Sequence, residues 1–311
     1  PISLNRELQS AAQPIYDMLS DVGKKLFFPK GILTQGAEAK EKAHRMNATI
    51  GIATDALGIM HLPSVMACIG VLAPERSITY APSFGLPELR KTWHRALVEK
   101  NPSLNGKTVS LPVVSAGITH GVSVFADLWL DPDDTVILPD PMWGNYNMIF
   151  SVRKGAGIRT YPIFTDDMRY NLDAFEAAVK EEAASRSKIV VLLNFPHNPS
   201  GYSLSRDEAK RTAEILVEVA AAGTNVVAAL DDSYFGLFYE EKTLKESMFA
   251  LLTESHPRIL AVKLDGATKE NYVWGLRVGF ITYGCAADGD PAAVYEVLEK
   301  KTAGCVRGSI S

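Results

Sequence analysis

The stretch KIVVLLNFPHNPSGY, residues 188–202, runs through five apolar residues from Ile189 to Leu193 and then breaks on two prolines and a glycine. An apolar run this short, rich in branched side chains and closed by turn formers, reads as a strand buried on both faces. The strand is assigned to 188–194. Six runs of the same character are LPVVS (111–115), TVILPD (135–140), GIRTYPI (157–163), NVVAALD (225–231), RILAVKL (258–264) and RVGFITY (277–283). Longer amphipathic stretches between and after them predict helices over 118–129, 143–152, 171–184, 206–222 and 290–304. Such alternation predicts an α/β fold, with a three-layer α/β/α large domain around a mostly parallel seven-stranded sheet.

Residues 1–55 have a different texture. A helical start, NRELQSAAQPIYDMLSDVGKKL (5–26), leads into PKGILTQGAEAK (29–40), which reads as Gly-rich and irregular. These residues are expected to form an N-terminal arm and part of a smaller domain, with the large domain over 56–311. The sequence begins at Pro1 and stops at CVRGSIS, which suggests part of a longer protein.

Bulk properties narrow the function. A net charge of -4 gives no electrostatic case for nucleic acid or an anionic membrane surface, so a small-molecule partner is expected. Cys68, Cys285 and Cys305 are too few and too scattered for a disulfide framework or a zinc site. The six histidines show no paired spacing, and no metal site is expected. No apolar run approaches the roughly 18 residues of a membrane span and no signal-peptide layout opens the sequence, so a cytoplasmic location is expected.

In open α/β sheets, ligands bind beyond the carboxyl ends of the strands, where loops meet helix N-termini. Strand 111–115 leads into SAGITHG, small residues whose backbone N–H groups suit a phosphate. Strand 135–140 leads to PMWGNY with Trp143, and strand 188–194 to the double-proline turn carrying Asn194 and Asn198. Strand 225–231 leads to DDSYFG with Asp231 and Tyr234, and strand 258–264 to DGATKE with Lys269. Arg277 follows eight residues later. An amine nucleophile, a carboxylate, hydrogen-bond donors, an aromatic face and an anion site together suit a phosphorylated heteroaromatic aldehyde, and pyridoxal 5'-phosphate meets each requirement.

The segments NFPHNPSG, DDSY and ATKENYVWGLRVG, in this order and at these intervals, resemble the class I/II aminotransferases of fold-type I pyridoxal-phosphate enzymes, of the aspartate and aromatic kind. YAPSFGLPELR (80–90) and GIATDALGIMHLPS (51–64) are similar to that family too. The resemblance implies that Lys269 carries the cofactor and moves the proton, that Asp231 pairs with the ring nitrogen, and that Tyr234 and Asn198 bond the ring oxygen. It implies further that Trp143 stacks on the ring and that Arg277 binds the phosphate with backbone groups at Ala116, Gly117 and Ile118. Tyr80 would reach the phosphate of a neighbouring subunit in a homodimer with shared active sites. Gly51 would lie near the substrate, and Arg307 would read a distal substrate carboxylate across the dimer. The expected activity moves an amino group from an amino acid, aspartate, glutamate or aromatic, to a 2-oxo acid such as 2-oxoglutarate.

Two departures from the family pattern stand out. The family commonly has a hydroxyl residue three positions before the lysine, where this sequence has Gly266, with Thr268 as a partial substitute. The family's arginine for the substrate α-carboxylate belongs to a C-terminal part of the small domain that this sequence does not include.

Blander readings stand beside these. Lys269 could be a solvated loop lysine, Asp231 a helix cap, NPSG only a turn, Trp143 ordinary core and Arg307 a surface ion pair. NGKTVS (105–110) fails as a phosphate loop because residue 101 is Asn where glycine is needed, and no G-x-G-x-x-G follows a strand. Competing functions are another pyridoxal-phosphate enzyme of the same fold, such as a C–S lyase, a decarboxylase or a cyclising lyase, and a non-catalytic pyridoxal-phosphate-binding domain.

Overall fold

The structure is a computed structural model and describes residues 2–26, 32–45, 47, 49, 51–287 and 290–309. The chain starts with helices α1 (Ile2–Asp17), α2 (Asp21–Lys25) and α3 (Ile32–Lys42), then the two-residue strands β1 (Thr54–Asp55) and β2 (Gly58–Ile59) and the short helices α4 (Pro63–Met66) and α5 (Pro74–Ser77). There follow α6 (Pro87–Lys100), β3 (Val113–Ser115), α7 (Ile118–Trp129), β4 (Thr135–Asp140), a π-type helical turn (Asn147–Arg153), β5 (Gly157–Pro162) and α8 (Leu172–Ser185). The last elements are β6 (Lys188–Leu193), α9 (Arg206–Ala221), β7 (Asn225–Asp231), α10 (Met248–Leu252), β8 (Ile259–Asp265), β9 (Gly279–Cys285) and α11 (Pro291–Ser309).

Seven strands form one sheet in the order β3-β9-β8-β7-β6-β4-β5. Neighbours from β8 to β5 are parallel, and β9 runs against both β8 and β3. Both faces are covered, and the strand residues alternate between them. Ile189, Val191 and Leu193 join the core under α8, α9 and α10, whereas Val190 and Leu192 join the core under α7 and α11. This double burial is why the strands read as continuous apolar runs.

All seven expected strands are present, with ends shifted by a few residues. β9 begins at Gly279, two residues after the expected start, because Arg277 has φ of 50°, a left-handed conformation that cannot continue a strand. Three local expectations are corrected. Residues 32–40 of the stretch read as irregular belong to a helix over 32–42, since Gln35, Ala39 and the charged helix formers Glu38, Lys40, Glu41 and Lys42 outweigh the single Gly36; residues 29–31 of that stretch lie outside the described residues. The helix expected over 143–152 is the shorter π-type turn at 147–153. α6 was not anticipated, although Pro87 at its first turn and Leu89, Trp93 and Leu97 at four-residue spacing mark it. It is tied down where Arg90 donates to Glu299 of α11 at 2.6 Å and to the Pro112 carbonyl at 2.7 Å.

No helix among the described residues is long and apolar enough to cross a membrane.

Candidate active site

The carboxyl ends of β6, β7 and β8 and the N-terminus of α7 border one crevice of about 470 Å³. Lys269, Asp231, Tyr234, Asn198, Trp143 and Arg277 all line it. Six side chains drawn from four separate loops therefore meet in space, although 134 residues separate Trp143 from Arg277.

One end of the crevice is cationic. Arg277 lies over Gly117, so closely that a Cβ there would sit 2.6 Å from a guanidinium nitrogen, and Gly117 has φ of 85° besides. Only glycine fits the turn and the arginine together. Gly279 is needed for the same packing, since its Cβ would fall 2.6 Å from the Gly117 carbonyl carbon. The guanidinium also donates to the Trp274 carbonyl at 3.1 Å. Whereas α8 and α9 have side-chain caps from Asn171 and Ser205, α7 has none. Its first-turn N–H groups have no intrahelical partner, and Ile118 and Thr119 border the crevice. The Ala116 amide is turned away and donates to His120 Nδ1 at 3.1 Å, and the Gly117 amide donates to the Ser115 carbonyl at 2.9 Å. The cationic end is thus bordered by Ile118, Thr119 and Arg277, while the amides of Ala116 and Gly117 have partners within the turn.

The other end is anionic. Asp231 is 2% exposed and accepts from Tyr146 Oη at 2.5 Å and from the Ser233 amide at 3.1 Å. The Ser233 hydroxyl donates to the same carboxylate. Asn194 Nδ2 donates to the Asp231 carbonyl at 2.7 Å, while its oxygen accepts from the Asn198 amide at 2.8 Å. Tyr146 is buried, and its ring meets Trp143 edge-on with centroids 5.2 Å apart. Tyr146, Ser233 and Thr119 were missed in the sequence. Tyr146 was findable, since it follows Trp143 at helical i, i+3 spacing.

Lys269 is half-buried, with Nζ 4.8 Å from the centre of the Tyr234 ring. Desolvation pulls its ammonium below the ordinary lysine value, and Arg277 acts in the same direction against the carboxylate of Asp231. A lysine so placed has more of its free, nucleophilic form at neutral pH. Burial raises the Tyr234 phenol, with the Asp231 charge adding to it. Gly266 packs against β9, and a Cβ there would stand 2.5 Å from the Val278 carbonyl oxygen. A hydroxyl side chain has no room at that position. Thr268, 5% exposed, borders the crevice instead.

Three expected residues lie outside this crevice. Tyr80 is 93% exposed, Gly51 has no heavy atom within 4 Å of a built Cβ, and Arg307 is exposed on the last turn of α11. His120 and His197 serve the loops. His120 accepts from Ala116 and pairs with Ser309 at 2.8 Å, while His197, pushed down to about 4 by burial, bonds Ser200 at 2.7 Å.

Fold and crevice together define a class of protein, an α/β domain whose sheet edge carries a crevice with a cationic end, a buried carboxylate and a lysine amine between them. Within that class the chain belongs to the aminotransferase class I and II family, whose model matches residues 58–303. It is 28% identical to a probable aspartate/prephenate aminotransferase of Aquifex aeolicus over 69% of this chain and 50% of that protein. The chain spans about half the length of the curated relatives it matches. Among solved structures, an aminotransferase from Anaerococcus prevotii superposes with a TM-score of 0.80 at 24% identity, covering 94% of this chain and 71% of that one. An aromatic-amino-acid aminotransferase from Burkholderia pseudomallei, covalently bound to pyridoxal phosphate, superposes with a TM-score of 0.72 at 20% identity, covering 94% and 72%. Likeness at this level of identity shows the shared fold.

Proposed function

We propose that this chain is the cofactor-binding part of a pyridoxal-phosphate-dependent aminotransferase. The observation that carries the proposal is the meeting of a depressed lysine amine, a buried carboxylate and an arginine beside an uncapped helix N-terminus in one crevice, all within the residues matched to the family. The donor set fits the cofactor in charge order: Arg277 and the α7 amides face a phosphate, Lys269 an aldehyde carbon and Asp231 a ring nitrogen. Pyridoxal phosphate, when bound, supplies an electron sink for the bond cleaved at the substrate Cα.

The chain's own groups do the rest. Lys269 would hold the cofactor through its amine and would move the proton at the substrate Cα. Asp231, braced by Tyr146 and Ser233, stays aimed at the ring nitrogen. Tyr234 and Asn198 would donate to the ring oxygen, and Trp143 would cover one face. Thr268 and Thr119 add hydroxyls beside the phosphate.

The substrates we propose are an amino acid of the aspartate, glutamate or aromatic type and 2-oxoglutarate, with Arg307 reading a distal carboxylate and Gly51 lining the substrate space. A homodimer with shared sites is supported by side chains that the fold leaves in water: Leu57 is 97% exposed and Ile78 82%, beside Tyr80. Residues 1–55 serve as arm and small-domain segment in this reading, in a cytoplasmic enzyme.

The test is the absorption spectrum of the purified protein with added pyridoxal phosphate, titrated with aspartate and then phenylalanine. A visible band that collapses with the donor and returns with 2-oxoglutarate is expected. A cofactor that binds but is not recycled by the oxo acid points to a lyase or decarboxylase, and no band at all removes the cofactor reading.

A further inference from the structure

Behind the crevice lies a buried ionic network that the reaction does not use. Lys263 on β8 is 1% exposed, and its Nζ lies 2.8 Å from Asp232 and 2.7 Å from Asp265. The Phe235 ring covers it at 4.9 Å from the centroid. Two carboxylates and an aromatic face engage the three N–H directions of the ammonium. Each carboxylate has a further donor: Ser247 Oγ reaches Asp232 at 2.5 Å, and Trp93 Nε1 lies 3.2 Å from both oxygens of Asp265. Burial alone would lower the lysine, but the paired carboxylates outweigh it and raise it above the ordinary value.

We propose that Lys263 is a positioning residue for the cofactor site, clamping the ends of β7 and β8 so that Asp231 and Lys269 keep a fixed separation. The proposal rests on the pyridoxal-phosphate reading above. Asp232 is the residue next to Asp231, and Asp265 opens the loop that carries Lys269 four residues later. β7 and β8 are paired directly, Leu230 beside Lys263 and Asp231 beside Leu264. Between Asp265 and Lys269, Gly266 lies close against the Val278 carbonyl, where a Cβ would meet the oxygen at 2.5 Å. The ammonium therefore grips the residue just after Asp231 and the last strand residue before the loop that carries Lys269.

Charge supports a positional role. One ammonium between two carboxylates leaves an excess negative charge inside the protein, and apolar side chains of similar volume often hold a fold as well or better. What apolar contacts lack is direction. Lys263 bonds both strand ends at once, and Trp93 extends the clamp to α6 while its ring stacks on Phe280 of β9 with centroids 4.0 Å apart.

Three variants test this: Lys263→Met, the charge-free Asp232→Asn/Lys263→Met/Asp265→Asn, and Trp93→Phe, which keeps an aromatic ring over Phe280 while removing the donor to Asp265. Cofactor affinity is measured by absorbance titration under conditions where circular dichroism shows each variant folded, beside its urea midpoint. The charge-free variant is expected to regain the midpoint lost in Lys263→Met yet bind the cofactor roughly tenfold more weakly than wild type, the scale on which supporting groups act at such sites. Trp93→Phe should weaken binding less, in the same direction. Should the Lys263 variants fail to fold, Trp93→Phe alone decides. Wild-type affinity in a folded charge-free variant, or in Trp93→Phe when it alone decides, overturns the proposal and leaves a structural role only. A wild-type protein that binds no pyridoxal phosphate overturns the cofactor reading and this proposal with it.

Discussion

Asp231 and Asp232 are consecutive residues of one type at the end of one strand, both almost wholly buried, and they do opposite things. Asp231 faces the α7 side, where its protein partners are a phenol, a hydroxyl and an amide, and its outer edge borders the crevice. Asp232 faces the α10 side, where an ammonium and a hydroxyl complete it. Burial raises the Asp232 carboxyl, and Lys263 opposes that rise only in part. The lesson is that burial does not separate a functional carboxylate from a structural one. The partner does: Asp231 is held by neutral donors and, among the described residues, has no cation within ion-pair distance, while Lys269 lines the same crevice.

The contrast makes four predictions, in falling order of effect. Lys269→Ala should cut the transamination rate by roughly 10²–10⁴ or more, the range a positioned base contributes, with little change in the urea midpoint. Retained turnover would show that another group moves the proton. Asp232→Ala should act the other way round, costing about 3–5 kcal/mol because Lys263 is left buried with one partner fewer. A loss below ~1 kcal/mol would mean the network is screened like a surface pair, and the division between the two aspartates would fail.

Tyr146→Phe removes a donor from Asp231 and leaves the ring in place. Cofactor affinity should fall about tenfold, or roughly 1.5 kcal/mol, in equilibrium titration. An unchanged affinity would mean that Ser233 alone orients the carboxylate. Arg277→Gln should give the smallest change, a shift in pH dependence read with pyridoxal, which lacks the phosphate. Arg277 lowers the Lys269 value, so removing it raises that value, and the pH at which borohydride traps half the lysine moves toward alkali. A shift toward acid, or none, would remove Arg277 from the group that tunes the amine.

Much of this was legible in the chain itself. Alternating burial leaves its mark wherever a strand is covered on both sides, so the seven runs and most of the helices between them were readable, as were the loops that follow them. The residues carrying charge or an aromatic ring at strand ends, Lys269, Asp231, Trp143 and Arg277, could be picked out because open α/β sheets bind ligands at that edge. Tyr146 was missed because it looks like core, and it is core except for one oxygen. The partners of the amides at 116 and 117, His120 and Ser115, were not legible because the partner of a backbone N–H depends on a turn.

Local composition thus determined the sheet, its layers and which loops carry chemistry, since hydrophobic periodicity and turn residues act over a few neighbours. Only the tertiary structure decided what holds each of the two adjacent aspartates, why position 266 must be glycine, and that Lys263, inside an apolar strand, binds the carboxylates of Asp232, just after β7, and Asp265, at the end of β8. Those outcomes depend on approaches of a few ångströms between segments far apart in sequence, and no pattern along a single strand encodes such a distance.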